Sequence, residues 1–210
     1  MSSIRRGTWT NWAGNQSIKP KWINEPASES DVADIVARAA KSNRTVKAVG
    51  AGHSFTSTAL TSGHLINMGH LNKIVHVDRE KNQVTVEAGI HISELNEQLF
   101  ELGYAMPNLG DIAYQTISGA ISTSTHGTGS RLTGIAGQVA GLRLVNGHGE
   151  VIDINAQQNP ELLDVARVGV GALGIVTQVT LNVVPAFRLR AVEGAQKLDA
   201  LIENLDELVH

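Results

Sequence analysis

The chain has 210 residues, of which 42% are hydrophobic and 21 are glycine, so it can form one large domain or two small subdomains rather than a disordered chain. A net charge of −3 without a long basic run argues against nucleic-acid binding. The lack of cysteine excludes disulfides and thiol chemistry. No segment approaches the length of a membrane span and residues 1–6 lack an apolar signal stretch, so we expect a cytoplasmic protein without nucleic acid or membrane as partner.

The opening segment concentrates the tryptophans of a chain that is poor in aromatic residues. They are Trp9, Trp12 and Trp22. We expect burial of their indoles to hold this segment against the body of the protein. Ser28 or Ser30 should then cap a helix, because apolar residues recur at helical spacing after them: Val32, Ile35, Val36 and Ala39.

The middle of the chain alternates short strands with one helix. Residues 45–49 and 65–68 are apolar runs that predict strands. Residues 73–77 and 83–88 predict a hairpin that turns through the polar residues between them. An amphipathic helix is expected over residues 93–102, where Gly103 would end it.

The second half begins with a long segment, residues 104–137, which has only a brief helical signal at residues 117–122. Long irregular segments inside compact domains are usually functional. A second hairpin is expected over residues 140–145 and 150–154, with Asn146 and Gly147 supplying the positive φ angles of its turn. The remaining predictions are a helix over residues 160–168, a strand over residues 175–184 and a helix over residues 198–208.

Two loops of small residues are the best functional clue. The first, residues 49–55 (VGAGHSF), follows a predicted strand and contains His53. The second, residues 115–129 (QTISGAISTSTHGTG), consists almost entirely of tiny or hydroxyl side chains. Such segments let backbone N–H groups approach an anionic ligand closely, and hydroxyls add further hydrogen bonds. Open sheets tend to bind ligands at the carboxyl ends of their strands, which is where His53 is expected.

Other motifs carry less weight. Residues 169–174 (GVGALG) match the dinucleotide fingerprint, but a helix-like stretch precedes them and a β-rich run follows, the reverse of the required context. A tight turn is favoured there. His64, His70 and His76 are spaced by six residues, which fits neither a helix face nor the usual zinc spacing, so we expect no metal site. The chain contains no Gly-x-Ser-x-Gly elbow that would support a serine hydrolase.

Residues 11–15 (NWAGN) together with both loops resemble the FAD-binding, PCMH-type domain of the vanillyl-alcohol oxidase family. The resemblance is closest to the aldonolactone and alditol oxidases of the gulonolactone oxidase type. It implies an α+β fold in which two α/β subdomains clamp FAD. The FAD-binding domain would span residues 1–185, with subdomains at about 1–78 and 79–185. Residues 186–210 would begin a truncated substrate (cap) domain.

The resemblance also implies which residues contact FAD. Members of the first loop would form one wall of the site: Gly50, Ala51, Gly52, His53, Ser54 and Phe55. Members of the second loop would form the other wall: Thr116, Gly119, Ala120, Thr123, Ser124, His126, Gly127 and Thr128. Ile175 and Val176 would lie along the adenine or ribose end. His53 matches the position at which many family members bond an imidazole nitrogen to the flavin's methyl carbon. No catalytic residue is expected within these 210 residues.

The implied function is a flavin-dependent oxidoreductase, an oxidase or dehydrogenase, that oxidises the CH–OH group of a sugar alcohol or aldonolactone. FAD would accept the hydride, and the protein would supply position and electrostatics. The fragment is expected to be inactive alone and able to dimerise. The alternative is a non-catalytic nucleotide-binding module or a remnant that binds nothing. A yellow protein with a flavin absorption band would favour the enzyme.

Overall fold

The computed structural model describes residues 3–209. The first third contains six strands and one long helix. They are β1 (Ser3–Arg5), β2 (Trp9–Thr10), β3 (Ser17–Ile18), β4 (Trp22–Glu25), α1 (Glu29–Lys41), β5 (Val46–Val49) and β6 (His64–Asn67). The remainder contains β7 (Ile74–Asp78), β8 (Gln83–Glu87), α2 (Ile92–Glu101), β9 (Tyr104–Ala105), α3 (Ile117–Ser122), β10 (Val139–Val145), β11 (Val151–Asn155), α4 (Leu163–Arg167), β12 (Ile175–Asn182), β13 (Val184–Pro185), α5 (Leu198–Glu203) and α6 (Leu205–Val209).

The first sheet has the strand order β1-β4-β6-β5, with β4, β6 and β5 parallel and β1 antiparallel. Helix α1 begins where Ser28 accepts a hydrogen bond from the amide of Asp31 at 3.2 Å, which satisfies one free N–H of the first turn. Its apolar face, which includes Val32 and Ile35, packs against Ile66 in a common core. The predicted cap at Ser28, the helix and the strands over residues 45–49 and 65–68 are confirmed, and the structure adds that these strands are parallel.

The second sheet has five antiparallel strands in the order β11-β10-β12-β8-β7. In β12 every second side chain is buried, including Val179 and Leu181, as expected for a strand with one face on the core. Helix α2 adds Leu95 and Leu99 to the same core. Strand β7 belongs to this sheet, so the change from one sheet to the other lies between Asn67 and Ile74.

The turn of the second hairpin differs from its prediction. Neither Asn146 nor Gly147 has a positive φ; Gly149 does, at +84°. The Asn146 side chain accepts hydrogen bonds from the amides of His148 (2.9 Å) and Glu150 (3.0 Å), which builds a polar side-chain turn before the left-handed residue. A Cβ at Gly149 would lie 3.0 Å from the carbonyl oxygen of Ala33, so contact with α1 also favours glycine there.

The C-terminal region, residues 186–208, is more exposed than the sheets. The predicted helix over residues 198–208 is divided at Asn204 into α5 and α6. Leu189, Val192 and Leu198 have exposed fractions of 86%, 84% and 68%, which shows that this segment contributes little to either core. Among the described residues, no helix has both the length and the apolar character needed to cross a membrane.

A polar cluster joins the two sheets. Thr177 Oγ1 in β12 donates to Glu29 Oε2 at the start of α1 at 2.6 Å. Arg143 Nε in β10 lies 3.0 Å from the same carboxylate oxygen in an ion pair that lacks hydrogen-bond alignment. Because Thr177 is fully buried, its hydroxyl depends on protein partners for its hydrogen bonds. This cluster fixes α1 against the second sheet and so sets the space between the sheets.

Candidate functional site: a cleft between two small-residue loops

An open cleft lies between the two sheets. Its walls come from the end of β5, the loop that follows, α3 and the start of β12. The cleft therefore forms where the edge strand of the first sheet meets the second sheet. This position matches the expectation that a ligand would bind at the carboxyl end of a strand.

The cleft brings together ten of the residues that the sequence predicted for the site. They are Gly50, Ala51, Gly52, His53, Ser54, Thr116, Gly119, Thr123, Ile175 and Val176. Six predicted residues do not line it: Phe55, Ala120, Ser124, His126, Gly127 and Thr128. Ala120 faces the core, where its side chain is fully buried, because it lies on the inner face of the short helix α3.

Sequence reasoning missed further lining residues. They are Lys47, Ala48, Val49, Thr58, Ala59, Met68, Gln115, Ser118, Ser122, Val170, Gly171 and Gly174. Gly171 and Gly174 lie in the glycine motif at residues 169–174, which forms a turn before β12 as the sequence indicated. A Cβ at Gly174 would lie 2.3 Å from the carbonyl oxygen of Val145, so close strand packing favours glycine there. No sequence pattern predicts that Lys47 lines the cleft, because its place there depends on β5 being the edge strand of the first sheet.

The N-terminal segment holds the first loop through that loop's carbonyl groups. The amide of Trp12 donates to Gly52 O at 2.9 Å, and Asn11 Nδ2 donates to Ser54 O at 2.9 Å. Phe55 O accepts from the side chain of Asn15 at 3.1 Å. Within residues 3–209, by contrast, the N–H groups of residues 51–55 have no acceptor. Three carbonyl groups of the loop are thus occupied while its N–H donors are available, an arrangement that suits an anionic ligand.

The two loops touch at Gly50. A Cβ on this residue would lie 2.0 Å from Thr116 Oγ1, so only glycine lets the loops approach so closely. Thr116 is 2% exposed and caps α3, accepting from the amide of Gly119 at 3.4 Å. Ser118 anchors the same helix by donating its hydroxyl to Ala88 O at 2.7 Å. The walls of the cleft are therefore held in contact by packing and hydrogen bonds.

Gly127, expected from the sequence in the second wall of the FAD site, has a different structural role. Gly127 has no positive φ, and a Cβ there would lie 2.0 Å from the carbonyl oxygen of Leu109. Its small size is required by a neighbouring chain segment. The residues of this loop with a positive φ are Ser124, at +58°, and Gly129, at +115°. The amide of Ser124 donates to Ile121 O as α3 ends.

Trp12 also departs from its prediction of burial. Its side chain is 65% exposed, whereas Trp9 and Trp22 are half-buried. The indole stacks on the His53 imidazole, with ring centroids 5.1 Å apart and planes 25° apart. Phe55 meets the indole edge-on at 6.3 Å. An aromatic group therefore lies at the rim of the cleft around the half-buried histidine.

Residues 20–155 match the protein family described as FAD binding domain. The chain belongs to this family. L-gulono-1,4-lactone dehydrogenase of Mycobacterium tuberculosis is 42% identical to this FAD-binding domain over 201 residues, 96% of this chain and 46% of that protein. L-gulonolactone oxidase of Mus musculus is 39% identical over 93% of this chain and 44% of its own length. The chain thus spans about half the length of these curated relatives.

The same fold occurs in a solved structure of cholesterol oxidase from Brevibacterium sterolicum. The TM-score is 0.78, at 20% identity, over 88% of this chain and 38% of that one. The predicted α+β fold of the vanillyl-alcohol oxidase type is confirmed. FAD is the cofactor of this FAD-binding domain, and the cleft suits it, since two small-residue loops meet at Gly50 and the first offers unpaired N–H donors to a pyrophosphate.

Proposed function

We propose that this chain is the FAD-binding part of a longer oxidoreductase that oxidises the CH–OH group of an aldonolactone or a sugar alcohol. One observation of the structure carries the proposal: His53 lies in a cleft whose two walls are loops of small residues. The names of the lactone dehydrogenase and oxidase relatives, which match 96% and 93% of this chain, support the substrate class. The electron acceptor would be dioxygen or another oxidant.

The first loop would bind the pyrophosphate of FAD through its free N–H groups. Gly52 suits this role because its φ of +73° turns the backbone in a way that other residues rarely adopt. From the opposite wall, Gly119 would leave room for the ligand, and Thr123 would line the site with its hydroxyl donated to Gly119 O at 3.1 Å. Ile175 and Val176 would lie along the adenine or ribose. When bound, FAD supplies the hydride-accepting ring; the chain binds and orients it.

His53 would lie closest to the dimethylbenzene edge of the flavin and would form a covalent bond with it through an imidazole nitrogen. Two features of the structure support this role. The imidazole lines the cleft, and neither of its nitrogens has a hydrogen-bond partner within residues 3–209. By contrast, His91 Nδ1 lies 2.7 Å from Tyr114 O, which occupies that nitrogen. His53 is therefore free to react with a ligand in the cleft.

The rest of the enzyme would bind the substrate. We propose that residues 1–185 form the FAD-binding domain and that residues 186–210 begin a cap domain that covers the flavin ring. The exposed apolar side chains of residues 186–208 support such a partner. On this proposal the 210-residue chain is inactive by itself. The cytoplasmic location and the dimer remain predictions.

A ligand titration followed by acid precipitation tests the proposal. FAD should bind the full-length protein more tightly than FMN or NAD, because only FAD combines a pyrophosphate with a flavin ring. Flavin should remain attached to the acid-precipitated chain, and His53→Ala should release it while still binding FAD. His91→Ala is the matched control and should keep its flavin. Equal or tighter binding of NAD would contradict the cofactor assignment, and a colourless protein that binds no FAD would favour the non-catalytic alternative.

A further inference from the structure

The exposed indole of Trp12 is in contact with the imidazole of His53. With 65% of its surface exposed, this side chain adds little to any core. It nevertheless stacks on the imidazole with a centroid distance of 5.1 Å and an interplanar angle of 25°. Offset stacking of this kind is a favourable aromatic arrangement. The indole thus covers one face of the ring and leaves the ring edge, which carries both nitrogens, uncovered.

The backbone around His53 is held by the same short segment. The amide of Trp12 donates to the carbonyl of Gly52, the residue before His53, at 2.9 Å. Asn11 Nδ2 donates to the carbonyl of Ser54, the residue after it, at 2.9 Å. Asn11 is 5% exposed, and its Oδ1 accepts from the amide of Gln16 at 3.0 Å, so it is itself fixed. Residues 11 and 12 therefore bracket the histidine on both sides.

Stacking orients the His53 ring in place of hydrogen bonds. Neither imidazole nitrogen of His53 has a hydrogen-bond partner in the described part of the chain. A ring without hydrogen bonds or packing would rotate among several side-chain conformations. The indole restricts this rotation without occupying a nitrogen. A hydrogen bond to the ring would restrict it as well, but would compete with a bond to the flavin.

We propose that Trp12 is a positioning residue for His53: its indole orients the imidazole so that a nitrogen can bond to the flavin's methyl carbon. This inference rests on the proposed function. In the step, a methyl C–H and the imidazole N–H each lose a proton and a new N–C bond forms. The two electrons remain in the flavin ring, which takes up two protons. Dioxygen then reoxidises the ring and is reduced to hydrogen peroxide.

The test follows the attachment of FAD to the full-length apoprotein, measured as acid-stable flavin over time. Trp12→Ala should slow attachment by about 10- to 100-fold, since misplacing a reacting group costs that much. Trp12→Phe keeps an aromatic face and should recover most of the rate. Trp22→Phe is the matched control, because Trp22 lies under Arg6, whose guanidinium carbon is 4.8 Å from the ring centroid, and does not line the cleft. It should attach flavin at the wild-type rate.

Two further measurements separate positioning from loss of structure. The unfolding midpoint of Trp12→Ala should match that of the wild type, as expected for an exposed side chain. In a His53→Ala background, Trp12→Ala should leave the dissociation constant for non-covalent FAD unchanged within about twofold, well below the tenfold that 1.4 kcal/mol represents. A positioning role predicts a change in the attachment rate alone. A structural role would change the attachment rate, the unfolding midpoint and the dissociation constant for FAD together.

Three outcomes would overturn the inference. Attachment by Trp12→Ala at the wild-type rate would show that the indole does not position His53. A parallel loss of non-covalent FAD binding would make Trp12 a structural or ligand-binding residue. If the wild type itself carries no acid-stable flavin, the covalent part of the proposed function fails together with this inference. That case is recognised because His53→Ala then behaves like the wild type, while FAD still binds both.

Discussion

Replacing Gly50 with alanine should separate the two walls of the cleft. The new Cβ would lie 2.0 Å from Thr116 Oγ1, whereas ordinary contact begins at 3.4 Å, so the loops must part by about 1.4 Å. Thr116 cannot yield easily, because it is β-branched and buried. Overpacking of this kind costs about 1–3 kcal/mol. For a chain of this size that lowers the unfolding midpoint by roughly 2–12 °C.

The same displacement should weaken FAD binding. Loss of one hydrogen bond to a charged phosphate costs about 1.5–3 kcal/mol, which raises the dissociation constant by about 10- to 150-fold. Thermal unfolding and a fluorescence titration with FAD measure the two effects. Gly147→Ala is the control, because its Cβ would meet nothing within 4 Å and its φ is not positive. If Gly50→Ala unfolds and binds FAD as this control does, then contact between the loops does not shape the cofactor site.

Three further predictions concern stability and activity. Burial, followed by the charges of nearby arginine and lysine side chains, lowers the pKa of His64 below 6.5; the unfolded chain therefore binds more protons, so the free energy of unfolding should fall as the pH drops below about 6.5. His64→Gln should flatten this pH dependence and His70→Gln should not. Urea unfolding at several pH values measures it, and equal slopes of unfolding free energy against pH for the two variants would contradict the prediction. Glu29→Ala should cost about 0.5–1.5 kcal/mol, because it removes one acceptor of the buried Thr177 hydroxyl while Arg143 O remains as a second acceptor at 3.1 Å. Asp34→Ala on the exposed side of α1 should not lower the stability, and equal unfolding midpoints for the two variants would count against the cluster. The isolated chain should show no turnover of aldonolactones or alditols with dioxygen or an artificial acceptor; robust turnover would show that its active site is complete.

Local chemistry determined most of the secondary structure before any tertiary contact was known. The Ser28 cap and the apolar spacing that follows it specify α1, because both act within one or two helical turns. The alternation in β12 specifies its buried face in the same way. The two loops could also be identified from the sequence, because runs of glycine and hydroxyl residues cannot form a core. Resemblance in these blocks led to the family that the match over residues 20–155 confirmed.

Tertiary structure decided which residues of those loops face one another. Gly50 and Gly127 look alike in the sequence, yet one must accommodate Thr116 across the cleft and the other the carbonyl of Leu109. Trp12 has the large apolar side chain of a typical core residue, but it lies at the rim of the cleft, stacked on His53. Such assignments depend on contacts between segments far apart in the chain. The pattern of a single segment records which conformations it can adopt, but not which partner it will meet.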